Sequence, residues 1–426
     1  MLRNLDDQEI PPKSTLIAQE SPMRLARRRF IELFGGTAGA AALGAFIGTP
    51  ASAQTIVKIG VINSRSGFLA ASGDEMQKGI DLYAKLHMTD LPTGVGIEVI
   101  NRDDDSNPEV GKRLAQELIT RDKVNILLGL VGSPIAAAIA PLTAEAKIPL
   151  VLTNAAGVAI PRISPYVARV SFTQWQTAMP LGKWAAGQGW KKASTAVSDF
   201  IPGHDAENAF TKGFTDGGGQ IVSVVRFPPS NPDFAPFVQK IKDAKPDVLF
   251  IFVPGGTQAT AMMKAIRDLG IREAGIKVVA TQDLVVDEEL PNMGDAPVGL
   301  VTAGNYSAAA VRPANAEFVA AWVKEYGAKS APDFLSVGGW DGMAAVFDVI
   351  KQTKGSFTGD QAMAILKGWK NANSPRGPIS IDPDTRDIIQ NIYMRRTEMR
   401  DGKLANVEFE TITDVKDPWK ELNPQK

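Results

Sequence analysis

Apolar and polar residues along this chain alternate with two periods. Residues 55–62, 96–101, 124–128 and 149–153 are short apolar runs rich in β-branched side chains. Between them lie stretches with helical spacing: 72–88 (Met76, Ile80, Tyr83, Ala84, His87), 108–121 (Val110, Leu114, Ala115, Leu118) and 134–146. Strand and helix patterns alternating at this spacing predict parallel strands joined by crossover helices. Ile126-Leu127-Leu128 and Leu150-Val151-Leu152 are apolar throughout, as strands covered on both faces must be. The pattern then restarts. Strands are predicted at 193–197, 220–226, 247–253 and 277–281, with helices at 206–215, 234–243 and 257–269, the last closed by Gly270. Beyond a strand at 298–302 come three helices, 313–326, 333–351 and 359–369, then a β-like stretch at 388–394 and a polar tail from Arg395. Two successive sets of this kind predict an α/β protein of two similarly built lobes.

The first 53 residues follow a different logic. Arg27-Arg28-Arg29-Phe30-Ile31 precedes an apolar run at 33–47 and then Ala51-Ser52-Ala53 before Gln54. A basic region, a short apolar region and a small-x-small site form an export signal. The run is shorter than the about 20 residues a membrane span needs. The paired arginines resemble a twin-arginine signal, with Ala26 and Glu32 departing from the usual pattern. A Sec-type signal or an uncleaved anchor is the alternative. Cleavage near Ala53/Gln54 places the working protein in the periplasm.

Composition narrows the chemistry. The 426 residues include no cysteine and two histidines, His87 and His204. Disulfides, thiol nucleophiles and thiolate metal sites are excluded. With 46 Lys+Arg against 47 Asp+Glu, nothing favours nucleic acid. Candidate residues cluster at strand ends. Gly132 leads into Ser133-Pro134, where Ser133 is expected to cap a helix whose free N–H groups would favour an anion such as a carboxylate. Asn154 closes the next strand with small neighbours, offering a donor and an acceptor. Pro254-Gly255-Gly256-Thr257 repeats the arrangement in the second set, with Thr257 the expected cap. Phe200 and His204 follow another strand end, His204 as a loop histidine contacting ligand or water. Asp103-Asp104-Asp105 lacks the glycine and closing glutamate of a calcium loop and reads as a helix-capping turn. His87, Trp322, Trp340 and Trp369 read as core, and Trp175 as a possible border of the cleft. No nucleophile elbow, phosphate loop, dinucleotide fingerprint or metal cluster is present in the sequence, so no cofactor, no metal and no enzymatic step is expected.

The chain resembles the exported solute-binding proteins of branched-chain amino-acid ABC transporters. The residues that carry the resemblance are Ile59-Gly60-Val61 with Ser66-Gly67 and Gly73-Asp74, the run 124–129 with Ser133, and Ile148-Pro149-Leu150. Ala244-Lys245-Pro246-Asp247-Val248, Gly294-Asp295 and Gly299-Leu300-Val301-Thr302 continue it. It implies the type I periplasmic binding protein fold, two Rossmann-like lobes joined by three hinge crossings near residues 173, 304 and 378. Residues 55–172 with 305–378 would form lobe one, 173–304 with 379–410 lobe two, and 411–426 a C-terminal tail. The ligand carboxylate would sit on Ser133, Asn154 and Ala155, with Phe68 and Ser72 covering one side. Lobe two departs from the amino-acid pattern: where the family often presents a Tyr and a Glu, this chain offers Gly203 or His204, and Gln282 or Asp283. The resemblance thus implies a monomeric importer component that captures an amino acid, an aromatic or aliphatic carboxylate, or an amide, and delivers it to a membrane permease. A periplasmic sensor built on the same clamp is the alternative.

Overall fold

The computed structural model describes residues 54–425. Residues 1–53, read above as an export signal, lie outside them. The first set of elements is β1 (Thr55–Asn63), α1 (Ala70–His87), β2 (Val95–Asp103), α2 (Pro108–Thr120), β3 (Ile126–Gly129), α3 (Ser133–Ala146), β4 (Leu150–Leu152), α4 (Ile160–Ile163) and β5 (Val167–Arg169). The second is α5 (Gln174–Gly187), β6 (Lys192–Ser198), α6 (Ile201–Asp216), β7 (Gln220–Phe227), α7 (Ala235–Ala244), β8 (Val248–Phe252), α8 (Thr257–Asp268), β9 (Lys277–Thr281) and β10 (Val301–Gly304). Then come α9 (Pro313–Tyr326), α10 (Phe334–Thr353), α11 (Gly359–Lys367), β11 (Lys370–Asn371), β12 (Ile379–Ile381), β13 (Ile388–Arg400), β14 (Lys403–Val415) and α12 (Pro418–Leu422).

The parallel strands of both sets are ordered alike: β2-β1-β3-β4-β5 in one sheet and β7-β6-β8-β9-β10 in the other. Each order reverses once, beside β1 and beside β6. A crevice opens at that point because neighbouring crossover helices depart to opposite faces, and the carboxyl ends of the strands surround it. The apolar strands explain the layers: each sheet is covered on both faces. Val57, Ile59, Val61 and Ile126 face α1 and α10, while Ile62, Leu127 and Leu150 face α2 and α3.

The region from Arg395 onward, which reads as a polar tail, is instead the outer half of β13 and its partner β14, paired antiparallel. Alternation explains the misreading. Arg395, Thr397 and Asn406 are the buried positions of this hairpin, so its inward face is polar too. Residues 411–415 complete β14, and α12 packs on α5 with Lys420 buried beside Asp387 and Asp417.

Where the chain passes between the sheets, a buried polar knot holds it. Arg376 donates to Asp341 (2.9 Å), to Ser171 O (2.8 Å) and to Gln390 Oε1 (2.8 Å). Gln390 in turn accepts from Asn305 (3.0 Å) and donates to Gln176 (3.1 Å), whose own amide donates to Ile388 O (2.9 Å) and Val415 O (2.8 Å).

Candidate ligand-binding site

Ends of strands from both sheets meet around a narrow chamber. On the first sheet, the turn after β3 delivers α3. Gly132, not Ser133, is the N-cap, and Pro134 sits in the first turn, where its missing N–H costs nothing. Ala136 makes the first backbone bond of the helix, to Gly132 O (3.0 Å), so the Ser133 and Ile135 amides have no intrahelical acceptor. Ser133 Oγ accepts from the Gly157 amide (3.0 Å), which leaves its own proton to donate elsewhere. Asn154 donates to Val131 O (3.0 Å), while its Oδ1 is buried without a partner. This wall therefore offers free donors beside a helix N-terminus, where a negative charge is favoured.

The opposite wall is built by the turns after β6, β8 and β9: Phe200, Pro254-Gly255 and Asp283. Asp283 Oδ2 accepts from Thr281 Oγ1 (2.8 Å) and Gln174 Nε2 (3.4 Å). Burial pushes the Asp283 carboxyl up to about 6, against the pull of those two bonds. Phe172, Phe334, Phe200 and Phe252 line the space between the walls. Phe172 meets Phe334 edge-on at 5.5 Å, and Phe200 lies 6.0 Å from Phe252.

The two sides touch. Ser72 Oγ reaches Gly255 O at 3.5 Å, and the Val158 amide donates to Asp205 (3.1 Å). Gly256 (φ 102°) lies against Ala71, where an added Cβ would come within 2.9 Å of the Ala71 methyl. Glu288 accepts from the Ala331 amide (2.6 Å) and from Ser330 Oγ (3.2 Å), clasping the loop before α10. A wider polar groove outside the chamber carries Arg65, Asp74, Glu75, Lys78, Glu288 and Asp333.

The periplasmic binding protein family matches residues 56–403. The chain belongs to this family. As a periplasmic binding protein it is the solute-binding protein of an ABC transporter, on the type I fold. The Leu/Ile/Val-binding protein homolog 6 of Brucella melitensis is 39% identical over 365 residues, 85% of this chain and 93% of that protein. A solute-binding protein of Rhodopseudomonas palustris BisB5, solved with 3,4-dihydroxybenzoic acid, is 48% identical with a TM-score of 0.83, covering 86% of this chain and 99% of the other. A second R. palustris solute-binding protein, solved with 4-hydroxybenzoate, is 41% identical with a TM-score of 0.81, covering 85% and 98%.

In this binding protein Ser72, Gly132, Ser133, Asn154, Phe200 and Asp283 line the chamber. Phe68 stands one layer out, edge-on to Phe200 at 6.2 Å. Gly256 is the N-cap of α8, in place of Thr257, and borders the outer groove. Ala155 is not brought to the chamber: its amide donates to Leu130 O (2.9 Å), its methyl is in the core, and Ala156 holds the lining position. His204 pairs with Asp199 (2.6 Å) on an exposed turn of α6. Gln282 points behind the sheet, where its Oε1 accepts from the Asn305 amide (2.9 Å). Trp175 lies in the core of the second set, and His87 stacks on Tyr83 at 4.1 Å. Asp103 accepts from the amides of Arg65, Ser66 and Asp105 and from Ser66 Oγ, tying its turn together. Sequence reasoning missed Phe172, Gln174, Phe252 and Phe334. Phe252 ends a predicted strand and was the accessible signal; the others converge only through the fold.

Proposed function

We propose that the protein captures an aromatic carboxylate of the benzoate class in the periplasm and presents it to the membrane permease of an ABC importer. One observation carries the reading: a chamber edged by four phenylalanines has neutral donors and a helix N-terminus on one wall and, among the described residues, no cationic side chain on any wall. The carboxylate would rest on Ser133 and the first amides of α3, with Asn154 beside it. The ring would lie among Phe172, Phe200, Phe252 and Phe334, where offset and edge-on contacts add to burial. The ligands of the two R. palustris relatives, both hydroxylated benzoic acids, support the same class.

Each wall supplies half of the contacts. Residues 55–172 with 305–378 act as one lobe and 173–304 with 379–410 as the other. An acid that satisfies both halves favours the joined form through differential binding. The reading involves no chemical step: the molecule would release what it captured. A thermal-shift and calorimetric series with benzoate, 4-hydroxybenzoate, leucine, succinate and urea tests this. Tight binding of a benzoate is the expected result; tight binding of leucine with none of either benzoate would overturn it.

A further inference from the structure

We infer that Asp283 reads a hydrogen-bond donor on the ring of the ligand, a phenolic hydroxyl on the side away from the carboxylate. This rests on the aromatic-carboxylate reading above and adds to it the feature that separates one benzoate from another.

Among the described residues, Asp283 is the only ionisable side chain lining the chamber. It is 7% exposed and makes no ion pair among the described residues, with Arg395 near enough only to favour its charged form from a distance. A buried carboxylate without a counter-charge is costly unless its oxygens are hydrogen-bonded. Both side-chain donors, Thr281 and Gln174, go to Oδ2. Oδ1 accepts from no side chain, although it is not sealed off among the orphaned buried atoms. Gln174 gives one of its two N–H donors to Asp283, and Thr177 Oγ1 lies 3.4 Å from its Oε1. The second wall therefore keeps one strong acceptor for the ligand, held in place from behind.

Two consequences follow from charge and count. A carboxylate cannot face Asp283, because like charges in a dry cleft repel. The acid group must turn to the α3 wall, and the far side of the ring then meets the acceptor. A single acceptor suits a hydroxyl, which has one proton to give. A ligand without a donor leaves the carboxylate unsatisfied, and sites built to bond a hydroxyl discriminate strongly against analogues that lack it.

The test is calorimetry on the full chain with 4-hydroxybenzoate, 4-methylbenzoate and benzoate. The methyl compound keeps the size of the hydroxyl and removes its proton. The wild-type protein is expected to prefer 4-hydroxybenzoate over 4-methylbenzoate by about tenfold or more. Asp283→Asn should reduce that ratio by about tenfold. Thr281→Val, which frees the carboxylate to turn, should reduce the ratio part-way and serves if the first variant does not fold. Equal wild-type affinities for the hydroxyl and methyl compounds would overturn the inference and leave the aromatic-carboxylate reading standing. A ratio unchanged in Asp283→Asn would also overturn it, by assigning the hydroxyl to another group. Failure of all three acids to bind would bring down both readings.

Discussion

Removing one hydroxyl, in Ser133→Ala, separates the two tasks that the geometry gives this side chain. Ser133 is 1% exposed at the start of α3, and its oxygen accepts from the Gly157 amide at 3.0 Å. Without it that buried N–H is orphaned, which costs about 1–2 kcal/mol of stability. The same change removes the donor offered to the ligand carboxylate. A hydrogen bond to a charged group contributes about 1.5–3 kcal/mol, equivalent to about 10- to 100-fold in Kd. The variant should melt a few degrees lower and bind benzoate or 4-hydroxybenzoate 10- to 100-fold more weakly. Differential scanning calorimetry gives the first quantity and titration calorimetry the second. If the melting point falls while the Kd stays within about twofold, the hydroxyl serves Gly157 alone and the anchor has been placed on the wrong atom.

Other perturbations act away from the ligand. Gly256→Ala puts a methyl into a left-handed backbone position and against Ala71; it should hold the two sides apart and raise Kd about tenfold, chiefly through faster release in stopped-flow. Glu288→Gln keeps the shape of the clasp on Ala331 and Ser330 but removes its charge; release should quicken several-fold for every ligand, with selectivity unchanged. Burial holds the Glu75 carboxyl at about 7, above its ordinary 4.5, despite Lys78 beside it. A folded-state pKa raised in this way means the native protein holds the proton more tightly, so stability falls as pH rises from about 4.5 through 7 and the full cost, on the order of 3 kcal/mol, applies above that. Glu75→Gln should flatten that slope, melting higher relative to wild type at pH 8 than at pH 5; parallel melting curves across that range would count against it.

The parallel strands were legible because each is a nearly unbroken apolar run, and the helices because Met76, Ile80 and Tyr83 or Leu114 and Leu118 recur at one face. The strand ends then located Ser133, Asn154 and Phe200. What local pattern could not supply was direction. Ala155 and Ala156 are indistinguishable as sequence, yet the pleat sends one into the core and the other to the chamber. Gln282 and Asp283 pose the same choice; Asn305 takes the first from behind and leaves the second facing the cleft. The β13–β14 hairpin escaped because its buried positions hold Arg395, Thr397 and Asn406, which reverse the usual apolar-in signal. Phe172 and Phe334 lie far apart in the sequence and meet at 5.5 Å only in the folded chain.

The knot around Arg376 has a mechanical consequence. Its guanidinium spans a carbonyl at Ser171, the Asp341 carboxylate and the Gln390 amide, and Gln390 is bonded to Asn305 and Gln176. Displacing any one of these strands alone would strand a buried cation, at a cost of about 3–5 kcal/mol when a partner is lost. In the proposed clamp these connections would be geared together like leaves of one door hinge, giving the lobes a shared coordinate of movement. A permease touching either outer face of that clamp would then receive the same message about occupancy.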